Sequence, residues 1–471
     1  MLSCSILILA LLAEASLAIA PISVKGSKLF YSDSGDQYFI KGVAYQLTED
    51  DPLAQPEQCK LDAALMKDLG ANAIRVYHVE PSADHDECMS TFADNGIYAW
   101  IDLDTFDTYI TGGSPAWTQS MHDSYAEVMD AFHDYDNVAG FFVGNEQLTT
   151  GPDSQAAPYL KAAARDMKAY RDKQGYREIP IGYSAADVPA LRPNLQNYLA
   201  CGDDPSEALD FYALNAYEWC GDNTFEGSGY NMLQENASDY NIPIFMSETG
   251  CIKPPPRYFQ DQAALLGDDM DNTWSGVIVY EWIQETNSYG LISYGPPAPS
   301  DAPATGGIVD GFTRSGTPIP ISPDFTNLQN QWKTLTPSGI NSNDYSPSNS
   351  PVACPAYTSG AWVVSPDTPL PTLGQEAVAQ SSSASTTSEG SSTGSSSATS
   401  GATASVTSSV TSSITGSSTL NTGSAASQIT SSAPSSSTTD SAGNGVAGNG
   451  KSLKKAVVGL AGAGAFFFVA L

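Results

Sequence analysis

The sequence predicts an α/β fold, a (β/α)8 TIM barrel followed by a disordered Ser/Thr-rich stalk, and three observations carry that prediction. Residues 37–290 alternate short β-branched or aromatic runs with amphipathic segments, the rhythm of parallel strands joined by helices. Eight such runs fit within roughly 250 residues, the size of such a barrel. No Gly-rich phosphate loop follows the first run, which argues against the competing arrangement, a doubly wound open sheet.

The strands read, in order, "QYFIKGVAY" (37–45), "NAIRVYHV" (72–79), "IYAWIDLD" (97–104), "VAGFFVGNE" (138–146), "IPIGYSA" (179–185), "LDFYALNAY" (209–217), "IPIFMSE" (242–248) and "WSGVIVYEW" (274–282). Between them, segments such as "QCKLDAALMKDLG" and "AAPYLKAAARDMKAYRDKQG" place apolar residues at helical spacing and close on a glycine. Barrel active sites lie at the C-terminal ends of the strands. Those ends supply Tyr77 and His78, Asp102 and Asp104, Asn145 and Glu146, Asp187 just after its strand, Tyr217 and Glu218, Glu248, and Tyr280 and Glu281. Carboxylates among aromatics suit a sugar, whose ring stacks on aromatic faces while its hydroxyls exchange hydrogen bonds with acids and amides.

Two of these acids close otherwise apolar strands: Glu146 in "GFFVGNEQ" and Glu248 in "IPIFMSETGC". Either one alone reads as a polar residue capping a strand. Together, on the fourth and seventh of eight strands, they sit across the barrel mouth and form the pair that glycoside chemistry requires, one as acid and base, the other as nucleophile. Asn145 is placed to bond the sugar 2-hydroxyl. Asp102, Asp104, Glu218 and Glu281 read instead as members of structural ion pairs. Four histidines without an HExxH motif leave little for zinc, and no GxSxG elbow occurs among the predicted strands and helices, so neither a metal nor another cofactor is expected.

The flanks have a different composition. Residues 1–20, "MLSCSILILALLAEASLAIA", join an apolar run to small residues as a secretory signal does, and the run is short for a membrane span. From about Gln380 to Asp440 the chain is almost wholly Ser, Thr, Ala and Gly, which cannot bury a core and suits an O-glycosylated stalk. An apolar tail, "KKAVVGLAGAGAFFFVAL", follows small residues and a polar spacer. That is the pattern of a GPI-attachment signal with Asn444 as its site, Gly443 and Asn449 competing, although a plain membrane helix has a related pattern.

The formal net charge of −32 argues against nucleic acid, whose phosphates it would repel. Apart from Cys4 there are six cysteines, Cys59, Cys88, Cys201, Cys220, Cys251 and Cys354. In a secreted chain they read as three disulfides with fifteen possible connectivities. Asn236 in "NAS" is an N-glycosylation sequon.

Six ordered motifs, "GVAYQ", "NAIRVYHV", "GFFVGNEQ", "LNAYEWCG", "FMSETGC" and "GVIVYEWIQETNSYGLI", resemble those of the fungal GPI-anchored β-1,3-glucanosyltransferases, glycoside hydrolase family 72, from about residue 22 to 360. The resemblance implies a retaining barrel enzyme in which Glu146 is the acid/base and Glu248 the nucleophile. Tyr77, Asn145, Asp187, Arg192 and Tyr280 would contact donor or acceptor β-1,3-glucan chains, with no obligate protein partner. It also implies the pairs Cys59–Cys88, Cys220–Cys251 and Cys201–Cys354. The expected organisation is a signal peptide (1–20), a catalytic domain (21–365), a linker (366–444) and a GPI propeptide (445–471), without the second cysteine-rich domain of some members. The protein would be secreted and held at the outer leaflet of the plasma membrane or in the cell wall. Two residues depart from the pattern. Gln147 stands where an aliphatic residue is more usual, and Thr249 where Tyr often sits beside the nucleophile, a change expected to alter that acid's packing or pKa. Barrel and acid pair alone do not separate transfer from hydrolysis by an endo-β-1,3-glucanase, and a catalytically silent glucan-binding wall protein is the rival outside enzymes.

Overall fold

The computed structural model describes residues 19–299 and 307–375. Most of the signal segment, the stalk and the anchor candidates Asn444, Gly443 and Asn449 lie outside the described residues. All eight expected strands are present. A hairpin of β1 (Ile22–Lys25) and β2 (Lys28–Tyr31) precedes them. There follow β3 (Ile40–Ala44), β4 (Ala73–Val76), β5 (Tyr98–Asp102), β6 (Val138–Asn145), β7 (Ile181–Ala186), β8 (Phe211–Asn215), β9 (Ile244–Thr249) and β10 (Trp274–Val279). These eight strands close into a parallel barrel in the order β10-β3-β4-β5-β6-β7-β8-β9.

The crossovers carry α1 (Pro56–Leu69), α2 (Asp86–Asp94), α3 (Gln119–Phe132), α4 (Ala157–Gln174), α5 (Arg192–Ala200), α6 (Tyr230–Ala237) and α7 (Asp261–Leu265), and α8 (Asp324–Thr334) follows the barrel. The two glycine-closed helices end where the sequence places them. Gly70 and Gly175 take left-handed φ values of 97° and 75° and return their N–H groups to the last carbonyls of α1 and α4.

Strand alternation divides the apolar residues into two cores. The outward side chains, among them Val43, Ile74, Ile101, Leu214, Met246 and Val277, pack under the helices. The inward ones form a separate column in which Trp100 meets Phe211 at 5.1 Å and Phe245 at 4.8 Å. Ile22, Leu29 and Tyr38 join this column beside Ile40, Ala73 and Tyr98, the first residues of three strands or close to them, so the hairpin closes the N-terminal end of the barrel. The other end is left open for chemistry.

Three disulfides form, Cys59–Cys88, Cys201–Cys354 and Cys220–Cys251, the pairing that the resemblance implied. The first joins α1 to α2, the second fastens the end of α5 to the segment after α8, and the third links the loops that follow β8 and β9. Packing continues past residue 365. Leu370 and Leu373 lie against the outer core, Arg165 donates to the Pro371 carbonyl at 3.0 Å, and Gly374 N–H donates to the Trp117 carbonyl at 2.7 Å.

Candidate active site

One turn of side chains above the aromatic column, the barrel interior becomes polar. Arg75 lies fully buried in the middle of β4, its guanidinium between the Phe142 ring below (4.4 Å) and the Tyr77 ring above (4.3 Å). A guanidinium cannot shed its charge, so burial obliges it to find partners. It grips Asp102 at the end of β5 with two bonds, Nε to Oδ1 at 3.1 Å and Nη2 to Oδ2 at 2.8 Å. It also donates to Ser184 Oγ (3.0 Å) and Asn145 Oδ1 (3.0 Å), and Nη1 lies 3.6 Å from Glu248 Oε1.

Asn215 on β8 extends this network to the other predicted acid, Glu146. Its Oδ1 accepts from Ser184 (2.9 Å) and Ser247 (2.7 Å), while its Nδ2 donates to Asn145 Oδ1 (3.1 Å) and Glu146 Oε1 (2.9 Å). Glu248 is held more tightly than Glu146. The Tyr77 hydroxyl donates to its Oε1 at 2.9 Å and the Tyr217 hydroxyl to its Oε2 at 2.8 Å. Burial first, and the Glu248 charge second, keep both phenols well above their usual range, so they remain donors.

Burial first, then the charge of Glu146, pushes the Glu248 carboxyl up to about 7, against the pull of Arg75 and the two tyrosines. A like charge across the barrel mouth disfavours the ionised form of Glu248 and so adds to the effect of burial. Glu146 follows β6 with φ at 58°, a left-handed backbone rare outside glycine, and its N–H donates to the Ser184 carbonyl at 2.9 Å. Strain of this kind persists where surrounding structure imposes it, commonly at functional sites.

The predicted residues fall into two groups. Tyr77, Asn145, Glu146 and Glu248 belong to the one network just described. Tyr280 enters by ring contacts, edge-on to Tyr289 at 5.4 Å, with Tyr289 edge-on to Tyr217 at 5.6 Å. Asp187 and Arg192 instead pair with each other between β7 and α5, and Glu218 stands 3.6 Å from Arg192. Asn236 is exposed in the last turn of α6, with its carbonyl accepting from Gln196 at 3.0 Å.

The four acids expected in ion pairs divide. Asp102 pairs with Arg75 and Glu218 with Arg192. Asp104 and Glu281 have amides in place of cations: Gln147 Nε2 donates to Asp104 Oδ2 at 3.0 Å and Asn287 Nδ2 to Glu281 Oε1 at 2.7 Å. Their burial without a positive partner departs from the expectation.

Both unusual residues find physical reasons. Gln147 ties the strained Glu146 turn to the loop after β5 through Asp104, and its N–H donates to the Tyr183 hydroxyl at 3.1 Å. The amide folds back over Gly144, where a Cβ would come within 2.6 Å of its Oε1, so that glycine makes room for it. Thr249 does not touch the Glu248 carboxylate. It faces outward to the Tyr230 hydroxyl (3.3 Å) and Asp261 Oδ2 (3.2 Å), and no effect on the pKa of Glu248 follows from it.

Arg75, Ser184, Asn215 and Ser247 were missed as site residues, and Tyr217 was read at a strand end without being singled out. Arg75 and Asn215 each precede a strand-end tyrosine by two residues, which places them on the same inward face, and that signal was readable. Ser247 was not. The register of β9 slips between Met246 and Glu248 against β8 and again against β10, a bulge that turns both Ser247 and Glu248 inward.

Fold and site together define a carbohydrate-active (β/α)8 enzyme with a paired-carboxylate centre. The chain matches the family described as Glucanosyltransferase, glycoside hydrolase 72, over residues 11–298, and it belongs to that family. The 1,3-beta-glucanosyltransferase gas2 of Schizosaccharomyces pombe is 38% identical over 389 residues, covering 78% of this chain and 80% of the relative. Protein EPD1 of Candida maltosa is 38% identical over 375 residues, and the chain matches 64% of its length. A Glu-to-Gln mutant of Saccharomyces cerevisiae Gas2p, solved in complex with laminaritetraose and laminaripentaose, superposes with a TM-score of 0.66 at 36% identity, covering 73% of each chain.

Proposed function

We propose that this protein is a retaining β-1,3-glucanosyltransferase that elongates cell-wall β-1,3-glucan. The observation that carries the reading is the single network that joins Glu146 and Glu248 from opposite sides of the mouth, with only donors aimed at Glu248. Family membership and the laminari-oligosaccharides bound to the Gas2p relative support β-1,3-glucan as substrate.

In the first displacement a Glu248 oxygen bonds to the anomeric carbon of an internal glucose, the glycosidic C–O bond breaks, and the proton on Glu146 goes to the leaving oxygen. Protonation of Glu146 also removes the charge that raises Glu248, which favours an ionised nucleophile at that step. In the second displacement a hydroxyl at the non-reducing end of another glucan gives its proton to Glu146 and bonds to the anomeric carbon as the ester to Glu248 breaks. Asn145 has both acceptor sites of its Oδ1 filled by Arg75 and Asn215, which leaves its Nδ2 as the donor for a sugar 2-hydroxyl. Tyr77 and Tyr280 supply aromatic surface beside it. Asp187 and Arg192 lie farther round the rim, where they would meet the acceptor or donor chain.

Incubation with a reduced laminari-oligosaccharide should give products longer than the substrate. Only shorter products would make the protein an endo-β-1,3-glucanase, and binding without products would leave a glucan-binding wall protein. Secretion, N-glycosylation at Asn236 and lipid attachment at Asn444 complete the proposal. Release from cells by a phosphatidylinositol-specific phospholipase, lost in Asn444→Gln, tests the anchor.

A further inference from the structure

The chain beyond α8 returns to the barrel and packs on the loop that follows the acid Glu146. Cys354 is fixed to the end of α5 by its disulfide, and Gly374 N–H reaches the Trp117 carbonyl just ahead of α3. Between these points runs a strap, residues 354–374, beyond the residues 11–298 that match the family. Its tip is a tight turn in which Thr358 and Trp362 exchange backbone bonds at 2.7 Å and Gly360 takes a φ of 76°. Trp362 is fully buried against Tyr198 (5.4 Å), and Val364 also enters the outer core.

Val363 N–H donates to Ser154 Oγ at 2.9 Å, and that buried hydroxyl donates in turn to the Gly151 carbonyl at 2.6 Å. Gly151 has a φ of −52° and a ψ of −47°, which any residue adopts, yet a Cβ there would collide with the Gly360 carbonyl oxygen. The strap, and not the backbone conformation, therefore calls for glycine at 151. On its other side the loop is held to the segment after β5. Gln155 Nε2 donates to the Gly112 and Gly113 carbonyls at 3.2 Å, and a Cβ at Gly112 would meet the Gln147 carbonyl oxygen at 2.5 Å. Asp153 Oδ2 accepts from the N–H and hydroxyl groups of Thr149 and Thr150 at 2.7 to 3.3 Å, which makes one compact piece of the loop between Glu146 and α4.

Glu146 heads this piece with its left-handed φ of 58°. Backbone of that kind keeps its geometry only where packing on several sides imposes it. The barrel wall supplies one side and the segment after β5 another. We propose that residues 354–374 supply the third: the strap is a positioning element that holds the acid/base loop through Ser154 and Gly151 and so sets where the Glu146 proton is delivered. The inference rests on Glu146 as the acid/base of the transferase reading above.

The test separates proton delivery from nucleophilic attack by choice of leaving group. A departing sugar hydroxyl needs the proton of Glu146, whereas dinitrophenolate leaves without one. Wild type, Gly151→Ala, Ser154→Ala and Glu146→Ala are each given a laminari-oligosaccharide and its dinitrophenyl β-glycoside, with kcat and KM measured on the first and the phenolate burst on the second. Gly151→Ala should lower kcat on the oligosaccharide about ten- to hundredfold and keep KM within about twofold, as a displaced catalytic group does. Ser154→Ala, which loses the bond to the strap, should lower it about three- to tenfold. In both the burst rate should stay within about twofold of wild type, the pattern that Glu146→Ala gives in its extreme form. A parallel fall on both substrates would show general loosening of the fold, and no fall on either would show a strap without influence on the acid; each overturns the inference. Should Gly151→Ala melt below assay temperature, Ser154→Ala decides alone. If Glu146→Ala slows both substrates alike, the acid assignment itself fails, and wild type that makes no products longer than the substrate refutes the transferase reading.

Discussion

The two ends of the barrel interior are built from the same strands and differ in almost every other respect. At the closed end β5, β8 and β9 contribute Trp100, Phe211 and Phe245, which need only fill space. A few residues further along those strands they contribute Asp102, Asn215, Ser247 and Glu248, each tied by directional bonds. A shift of two to four strand residues, about 7–13 Å, thus separates stability from geometry. The lower layer makes an apolar floor, and the upper layer can hold charges because they are paired or hydrogen-bonded there.

Replacing an acid at the open end should have the largest effect and leave the floor intact. Glu248→Gln is expected to lower turnover about 10⁴-fold or more with no fall in melting temperature, while oligosaccharide binding stays measurable by calorimetry. Product formation near the wild-type rate would refute the assignment.

Between the two layers, Arg75→Met should damage both. It leaves Asp102 buried without its cation, for a loss of about 3–5 kcal/mol in denaturant unfolding, and it frees Asn145 so that kcat also falls. Trp100→Ala should cost a similar 3–5 kcal/mol from the cavity, yet leave kcat per folded molecule nearly constant. If Trp100→Ala loses activity as steeply as Arg75→Met, the division between the layers fails.

A milder test uses pH. Burial raises the carboxyls of Asp62 and Asp261 to about 6, Glu248 to about 7 and Glu281 to about 8, from ordinary values of 3.8 and 4.5. Each binds its proton more tightly folded than unfolded, so stability is full below pH 4 on their account and declines as pH rises towards 8. The melting temperature should therefore fall by several degrees between pH 5 and 8, and Glu248→Gln should flatten part of the slope. The smallest effect is expected from Gln147→Val, which loses one amide bond to Asp104, worth about 1 kcal/mol by thermal unfolding.

Much of this was legible in the sequence because period-two alternation and strand ends are local signals. They located the eight strands, and they singled out Glu146, Glu248, Asn145 and Tyr77, which the fold gathers into one network. What escaped depends on contacts between strands. Arg75 in "NAIRVYHV" looks like a stray charge until Asp102, Ser184 and Asn145 surround it. Gln147 looked anomalous because Asp104, its partner, lies 43 residues earlier. Thr249 is adjacent to Glu248 in sequence but bonds to Asp261 and Tyr230 and not to that carboxyl, so the expected influence on Glu248 has no direct contact to act through.

The slip in β9 also bears on how the two sides of the mouth are placed relative to each other. Because Ser247 and Glu248 turn inward from adjacent backbone units, the hydroxyl that braces Asn215 and the Glu248 carboxyl are placed by one short stretch of backbone. Asn215 in turn donates to Glu146, so that single bulge helps to set groups on both sides of the barrel mouth.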